Sequence, residues 1–320
     1  MSTVRRALKY AGSAVVLLVV LVVLAYLLGV LGLPTVTGVE NRFGAVNETS
    51  TEVVTDLHVN NPNPIGIRLG DTAVDYTVAM NEVEMARGHR TGLDLQTGDS
   101  TLHFRTYLQN DRIPDWWYTH VRGGEVTELV VDARLTGGYL FGRSVGLETN
   151  ETIRTDLLGE FDTNETRSID AGLPLVSDPV LYVNETVARY GDPLTRSRTP
   201  IETAFTVYNP KPFPYRVTEI GYEVRMNDVV VGTGGTDRAY SILPGTPETL
   251  RATTTIDNEN LDEWWVTHVR NDQVTEVVVD FYIVVQPDIA GRELPPIRID
   301  VDAFDYSTTI ETDVFGTDSG

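Results

Sequence analysis

Two histidines recur in one setting. His120 and His268 each stand in Trp-Trp-x-Thr-His-Val-Arg, at 116–122 and 264–270, and such a pair invites metal or acid–base chemistry. Neither has a second histidine three or four positions away to complete a ligand pair on a helix. Both fall on an apolar stripe, so the spacing favours a packed ring whose nitrogens are hydrogen-bonded. Gly142-Arg143-Ser144-Val145-Gly146 matches the nucleophile elbow formally, but that device needs a helix after the serine. Leu147-Glu148-Thr149-Asn150 follows instead, inside a β-type pattern, and the segment reads as a loop. Asp300 and Asp302 share a strand face near Asp305, as expected of a solvated surface. Asp257, Glu259 and Asp262 lack the glycine and spacing of a calcium loop. With no cysteine there is no thiolate nucleophile and no thiolate metal site. No catalytic, cofactor-binding or metal site is expected, and the chain reads as a non-enzyme.

The elements that would position these residues occur twice. Residues 113–132 and 261–280 agree at 12 of 20 positions with an offset of 148. The same offset relates Asn61-Pro62-Asn63-Pro64 to Asn209-Pro210-Lys211-Pro212, and Tyr76 and Met80-Asn81 match Tyr222 and Met226-Asn227. In each copy a first alternating segment (Val53, Thr55, Leu57, Val59; Ile201, Thr203, Phe205, Val207) predicts a strand with one buried face. Asn-Pro-x-Pro ends it, because proline lacks the ladder N–H. A second alternation, Val74 to Met80 or Ile220 to Met226, stops at Asn81-Glu82 or Asn227-Asp228, which predicts a hairpin. Further strands are expected at 102–108 and 126–135, and at 250–256 and 274–283.

Between the last two strands of each copy, Ile113, Trp116, Trp117, His120 and Val121 repeat at helical spacing, as do Leu261, Trp264, Trp265, His268 and Val269. A helix of about ten residues cannot stand alone in water and must pack on the sheet. The expected fold is therefore all-β: two tandem immunoglobulin- or fibronectin-III-like antiparallel β-sandwiches, each with one short helix. They occupy 36–160 and 179–316, with a linker at 161–178.

Residues 11–33 hold no charge. As a helix they would cover about 35 Å, enough for a hydrocarbon core of roughly 30 Å. Arg5, Arg6 and Lys9 precede this run, and 46 acids against 22 bases follow it. Residues 1–10 are thus expected in the cytoplasm, 11–33 across the bilayer, and the rest outside. A net charge of −21 with two lysines, Lys9 and Lys211, excludes charge-driven nucleic-acid binding and suits a surface kept soluble in high salt. Four Asn-x-Thr triplets, at Asn47, Asn150, Asn164 and Asn184, are candidate glycosylation acceptors outside the cell.

The ordered set of Asn-Pro-x-Pro, the Tyr-x-Val-x-Met-Asn hairpin, a short helix and a Val-rich strand resembles the water-stress-and-hypersensitive-response domain of late-embryogenesis-abundant type 2 proteins. The resemblance covers most of 36–160 and 181–316, and the acidity is similar to that of a haloarchaeal member. It implies a folded β-sandwich linked to desiccation and salt stress, without catalytic residues to carry over. The expected function is a membrane-anchored extracytoplasmic stress-response protein whose lipid contact is its N-terminal helix. The alternative is a surface binding or scaffolding module for a protein or lipid, with Ile65, Ile67, Phe213 and Tyr215 as the candidate partner patch.

Overall fold

The computed structural model describes residues 34–137, 144–170, 177–236, 238–289, 292–293, 295–300 and 306–311. The segment 11–33, read as a transmembrane helix, lies outside the described residues. Among the described residues no helix is long and apolar enough to cross a membrane. The chain is mostly antiparallel β-structure and divides into two compact units, whose main boundary lies between Thr155 and Asp156, with Val269–Gln273 and Glu311 grouped with the first.

The first unit runs β1 (Thr35–Val46), β2 (Ser50–Asn61), β3 (Ile67–Met80), β4 (Val83–Leu95), β5 (Gly98–Gln109), α1 (Ile113–Arg122), β6 (Val126–Gly137) and β7 (Ser144–Arg154). Its seven strands form two sheets, ordered β1-β2-β5 and β4-β3-β6-β7. The inward positions of β2 and β5 alternate as expected: Thr55, Leu57 and Val59 are buried, as are Leu102, Phe104 and Thr106. Pro114 occupies the first turn of α1, where a missing N–H costs nothing.

The second unit runs β8 (Arg167–Ile169), β9 (Leu181–Tyr190), β10 (Arg198–Tyr208), β11 (Tyr215–Met226), β12 (Val229–Gly235), β13 (Tyr240–Ile242), β14 (Pro247–Asp257), α2 (Leu261–Arg270), β15 (Val274–Ile289), β16 (Arg292–Glu293), β17 (Ile297–Asp300) and β18 (Tyr306–Glu311). Its core gathers Val183, Val207, Val217, Tyr240, Ile242, Leu250 and Ile283. The stretch expected to be a linker carries β8, which pairs with β9, and Thr163, which forms a bridge to Thr186.

The copies differ in one respect that the repeat does not announce. In the second unit one path of paired strands runs β16-β15-β11-β12-β14-β10-β9-β8, because β12 pairs with β14 from Gly232 opposite Ile256 to Gly235 opposite Thr253. In the first unit the equivalent strands, β4 and β5, belong to different sheets. Glycine explains the difference. A Cβ at Gly232 would stand 2.9 Å from the Thr255 carbonyl oxygen, and one at Gly234 would stand 2.6 Å from that of Thr253. The first copy keeps glycine at Gly88, the equivalent of Gly234, but has Ala86 where the second has Gly232, so at that position its strand carries the Cβ that would crowd the neighbour.

Both hairpins form where expected. Asn81 and Glu82, like Asn227 and Asp228, have positive φ at both central positions, the turn that matches the twist of paired strands. The asparagines also tie each hairpin to the neighbouring strand. Asn227 Nδ2 donates to the Val274 carbonyl at 3.0 Å, its Oδ1 accepts from the Glu276 N–H at 2.9 Å, and its own N–H reaches the Glu276 carbonyl. Asn81 makes the same three bonds to Val126 and Glu128. Replacing Asn227 with Ala therefore loses two side-chain bonds and puts at a left-handed φ a residue without asparagine's tolerance of it, for about 2–4 kcal/mol together. Asn227→Gly keeps the turn and should lose less. Denaturant unfolding of the two variants ranks them; an Ala variant as stable as wild type would remove the tie from the account.

Candidate functional site

The recurring histidine sits within a directed chain of hydrogen bonds. In the first unit the Trp116 indole N–H donates to Thr127 Oγ1 at 2.9 Å, and His120 Nδ1 lies 2.8 Å from the same oxygen. On its other side His120 Nε2 lies 2.9 Å from Thr155 Oγ1, whose hydroxyl donates to Glu125 Oε2 at 2.7 Å. An indole can only donate and a carboxylate can only accept. Thr155 has therefore spent its proton on Glu125 and must accept from His120, which places the imidazole proton on Nε2. Nδ1 is then the acceptor for the Thr127 hydroxyl. The neutral ring is consistent with its burial, which pushes the His120 pKa down against the opposing charge of Glu125.

The second unit repeats the first half of this chain. Trp264 donates to Thr275 Oγ1 at 2.9 Å, and His268 Nδ1 stands 2.7 Å from that oxygen. His268 is 1% exposed, and burial drives its pKa down to about 4. In both helices the histidine ring lies 5.4 Å from the first tryptophan of the pair. The helix meets its sheet through this polar seam, flanked by buried Ile113 and Val121 or Leu261 and Val269. With Nδ1 engaged inside the fold, neither ring has the open access that proton exchange with a substrate requires.

Asparagines close the strand ends. Asn61 and Asn209, each the first residue of an Asn-Pro-x-Pro, are 1% and 0% exposed. Asn61 Nδ2 donates to the Ile65 and Gln96 carbonyls at 3.1 Å each. Asn209 Nδ2 donates to the Phe213 carbonyl at 2.8 Å and the Ile242 carbonyl at 3.1 Å. At the opposite end the buried Asn110 and Asn258 accept from Thr51 and Thr199 and donate back to loop carbonyls. The sequence marked Asn-Pro-x-Pro only as a strand stop, and gave no sign of the other pair.

These loops redraw the candidate partner patch. Ile65 is exposed, at 58%. Tyr215 is 3% exposed and belongs to the core, and burial pushes its phenol up to about 12. Phe213 is half-buried, packed against the same core and edge-on to Tyr215 at 5.4 Å. The correction follows from pleat: Tyr215 opens β11 on its inward face, in step with Val217. The backbone of Ile67 starts β3, and its side chain lies outside the described residues.

Ser144 begins β7 opposite Thr136, so a strand follows it where an elbow requires a helix. Asp302 and Asp305 lie outside the described residues; Asp257 Oδ1 accepts from the Glu259 N–H and caps a short turn. Asn47, Asn150 and Asn164 are exposed, and Asn184 is half-buried within β9. Asn47 Oδ1 already accepts from the Thr49 N–H, its hydroxyl and the Ser50 N–H, each at 2.9 Å.

Three histidines that the sequence did not single out face carboxylates on the surface of the first unit. His103 Nδ1 lies 2.6 Å from Asp56 Oδ1, directly across strands, and Arg42 holds Oδ2 at 2.6 Å. Arg42 first, and His103 second, keep the Asp56 carboxyl below its usual range. His89 pairs with Asp75 at 2.6 Å, and His58 lies 3.5 Å from Glu40. At the equivalent positions the second copy has Ala204 and Arg251 for the Asp56 pair and Gly221 and Gly235 for the Asp75 pair. Among the described residues no group of three or more histidines and carboxylates is placed to hold a metal.

The buried imidazole makes stability depend on pH. His268 stays neutral in the fold down to about pH 4, whereas an unfolded histidine takes its proton near 6.5. Between those values the unfolded chain binds more protons, so stability falls as pH falls, by about 1.4 kcal/mol per unit and on the order of 3 kcal/mol in all. His268→Gln should flatten the profile between pH 6.5 and 4 relative to wild type, measured by denaturant unfolding in matched salt. Parallel profiles would mean that this ring does not titrate on unfolding.

A family model described as late embryogenesis abundant protein matches residues 56–151 and 204–301, more than half of the chain and one segment in each unit. No curated protein matches the chain. Among solved structures, the crystal structure of a protein from Archaeoglobus fulgidus is 26% identical, covering 39% of this chain and 100% of that one with a TM-score of 0.33. A solution structure from Arabidopsis thaliana is 14% identical, covering 38% of this chain and 80% of that one with a TM-score of 0.26. With both copies matched by the one model, the chain belongs to the late embryogenesis abundant protein family, whose domain it carries in tandem.

Proposed function

We propose that this chain is a non-enzymatic, membrane-anchored stress-response protein of the late-embryogenesis-abundant type 2 class, acting outside the cytoplasmic membrane. Each unit is read as a β-sandwich of the immunoglobulin or fibronectin-III kind carrying one short helix. The uncharged run 11–33, with Arg5, Arg6 and Lys9 before it, is the anchor and sets the orientation.

The observation that carries this reading is the duplicated polar interior of a twice-matched family domain. The histidines, the tryptophan N–H groups and the asparagines that recur are spent on holding the fold together. Among the charges the chain offers to its surroundings carboxylate predominates, 46 acids against 25 bases of which two are lysines. Such a layer retains water at a membrane and keeps neighbouring molecules apart as salt rises or water leaves. The near-absence of lysine suits work in molar salt, where the Debye length shrinks to about 3 Å. Exposed Asn47, Asn150 and Asn164 are the glycan acceptors favoured under this reading.

Cells lacking the gene should recover less well from drying and from osmotic shock than their parent. Restoring the full chain should rescue them, while a version without residues 11–33 should rescue poorly. Equal survival of deletion and parent strains would sink the protective role. Full rescue by the truncated form would sink the requirement for the anchor.

A further inference from the structure

The first unit has two unlike ends. At one, β1 begins at Thr35, which pairs with Asn60, the residue before the Asn-Pro-Asn-Pro loop. The loop tip, Pro62, Pro64, Ile65 and Gly66, is exposed, and no charge occurs from Val59 to Ile67. Among the described residues Ile65, at 58%, is the most exposed large apolar side chain. At the other end, β1 turns into β2 through Asn47-Glu48-Thr49, and β3 into β4 through Asn81-Glu82, where carboxylates face water.

The tip is also pre-shaped. Asn61, buried, grips the Ile65 carbonyl from below, and Asn63, 3% exposed, donates its N–H and side-chain amide to Asn61 Oδ1 at 3.1 and 2.7 Å. The Ile65 backbone is thus held with its side chain facing solvent. Ordering such a side chain on a partner costs little beyond what the loop has already spent.

We propose that this tip docks on the lipid interface of the bilayer entered by residues 11–33. The proposal rests on the anchor reading given above. Its occupant follows from chain length: the apolar run ends at Leu33, two residues before Thr35, and two extended residues reach about 7 Å. The Thr35–Asn60 pairing fixes the tip at that same height. The Pro-Ile tip carries no charge of its own, and the exposed Asp94 and Asp99 on the neighbouring turn would stay in the hydrated headgroup layer while Ile65 enters the boundary. Docking would give the unit a second hold on the membrane and set its tilt.

The absence of cysteine makes the test direct. Single-cysteine variants of the full chain, Val20→Cys, Thr97→Cys beside the tip and Glu48→Cys at the far end, are labelled with an environment-sensitive dye. Each is reconstituted into phosphatidylcholine–phosphatidylglycerol vesicles carrying a spin-labelled quencher lipid, in molar salt. Quenching and a blue shift are expected at 20 and 97 and not at 48. Ile65→Asp should abolish the signal at 97 and leave that at 20 unchanged. If 20 is quenched while 97 behaves like 48, the anchor stands and the docking is overturned. If 20 is not quenched, the anchor reading falls and takes the docking with it. A blue shift at 97 that is lost on dilution and indifferent to quencher lipid would make the occupant a second copy, which also overturns the proposal.

Discussion

Everything in each unit hangs on buried polar groups that must find partners. An amide, hydroxyl or imidazole left without one inside the fold costs about 1–3 kcal/mol. Here they sit at strand ends and under the helix, where regular ladders stop and loose carbonyls accumulate. Asn61 and Asn209 each take up two such carbonyls. The threonine at 127 or 275 serves an indole and an imidazole at once. A ten-residue helix has too few turns to be stable by itself, and this seam fastens it.

The same constraint explains what duplication has kept. The repeated residues are mostly those of the seam and the strand ends, together with Tyr76 and Tyr222, whose hydroxyls meet Thr106 and Thr254. The surface pairs are free to change, because an exposed ion pair contributes at most about 1 kcal/mol. Asp56 with Arg42 and His103, and Asp75 with His89, occur in one copy only. Their loss or gain leaves the fold intact, whereas loss of Asn209 would strand two carbonyls.

Much of this was legible in the residues. Period-two alternation located the inner faces of β2 and β5, helical spacing located α1 and α2, and Asn81 and Asn227 marked true left-handed turns. Sheet partnership was not legible, since alternation states which face is buried and never which strand lies alongside. The β12–β14 ladder brings the Gly232 and Gly234 backbones close to the carbonyls of Thr255 and Thr253, an approach that alternation does not announce. The histidine–carboxylate pairs needed cross-strand register before Asp56 could be set opposite His103. Tyr215 was misplaced for a related reason: it follows a proline-rich loop, yet it is already on the inward side of β11.

High salt bears unequally on these two layers. Screening over a few ångströms weakens the exposed pairs and the mutual repulsion of the carboxylates. The histidine and tryptophan hydrogen bonds of the seam operate at 2.7–2.9 Å between neutral partners, and the one carboxylate that ends it, Glu125, is itself buried, so screening by salt bears little on them. Burial of apolar surface, if anything, gains from excluded salts. A fold whose specificity lies in short internal hydrogen bonds, and whose charged groups are acidic by 46 to 25, is thus suited to swings in salt and water. The interior stays the same while the exterior changes only its hydration.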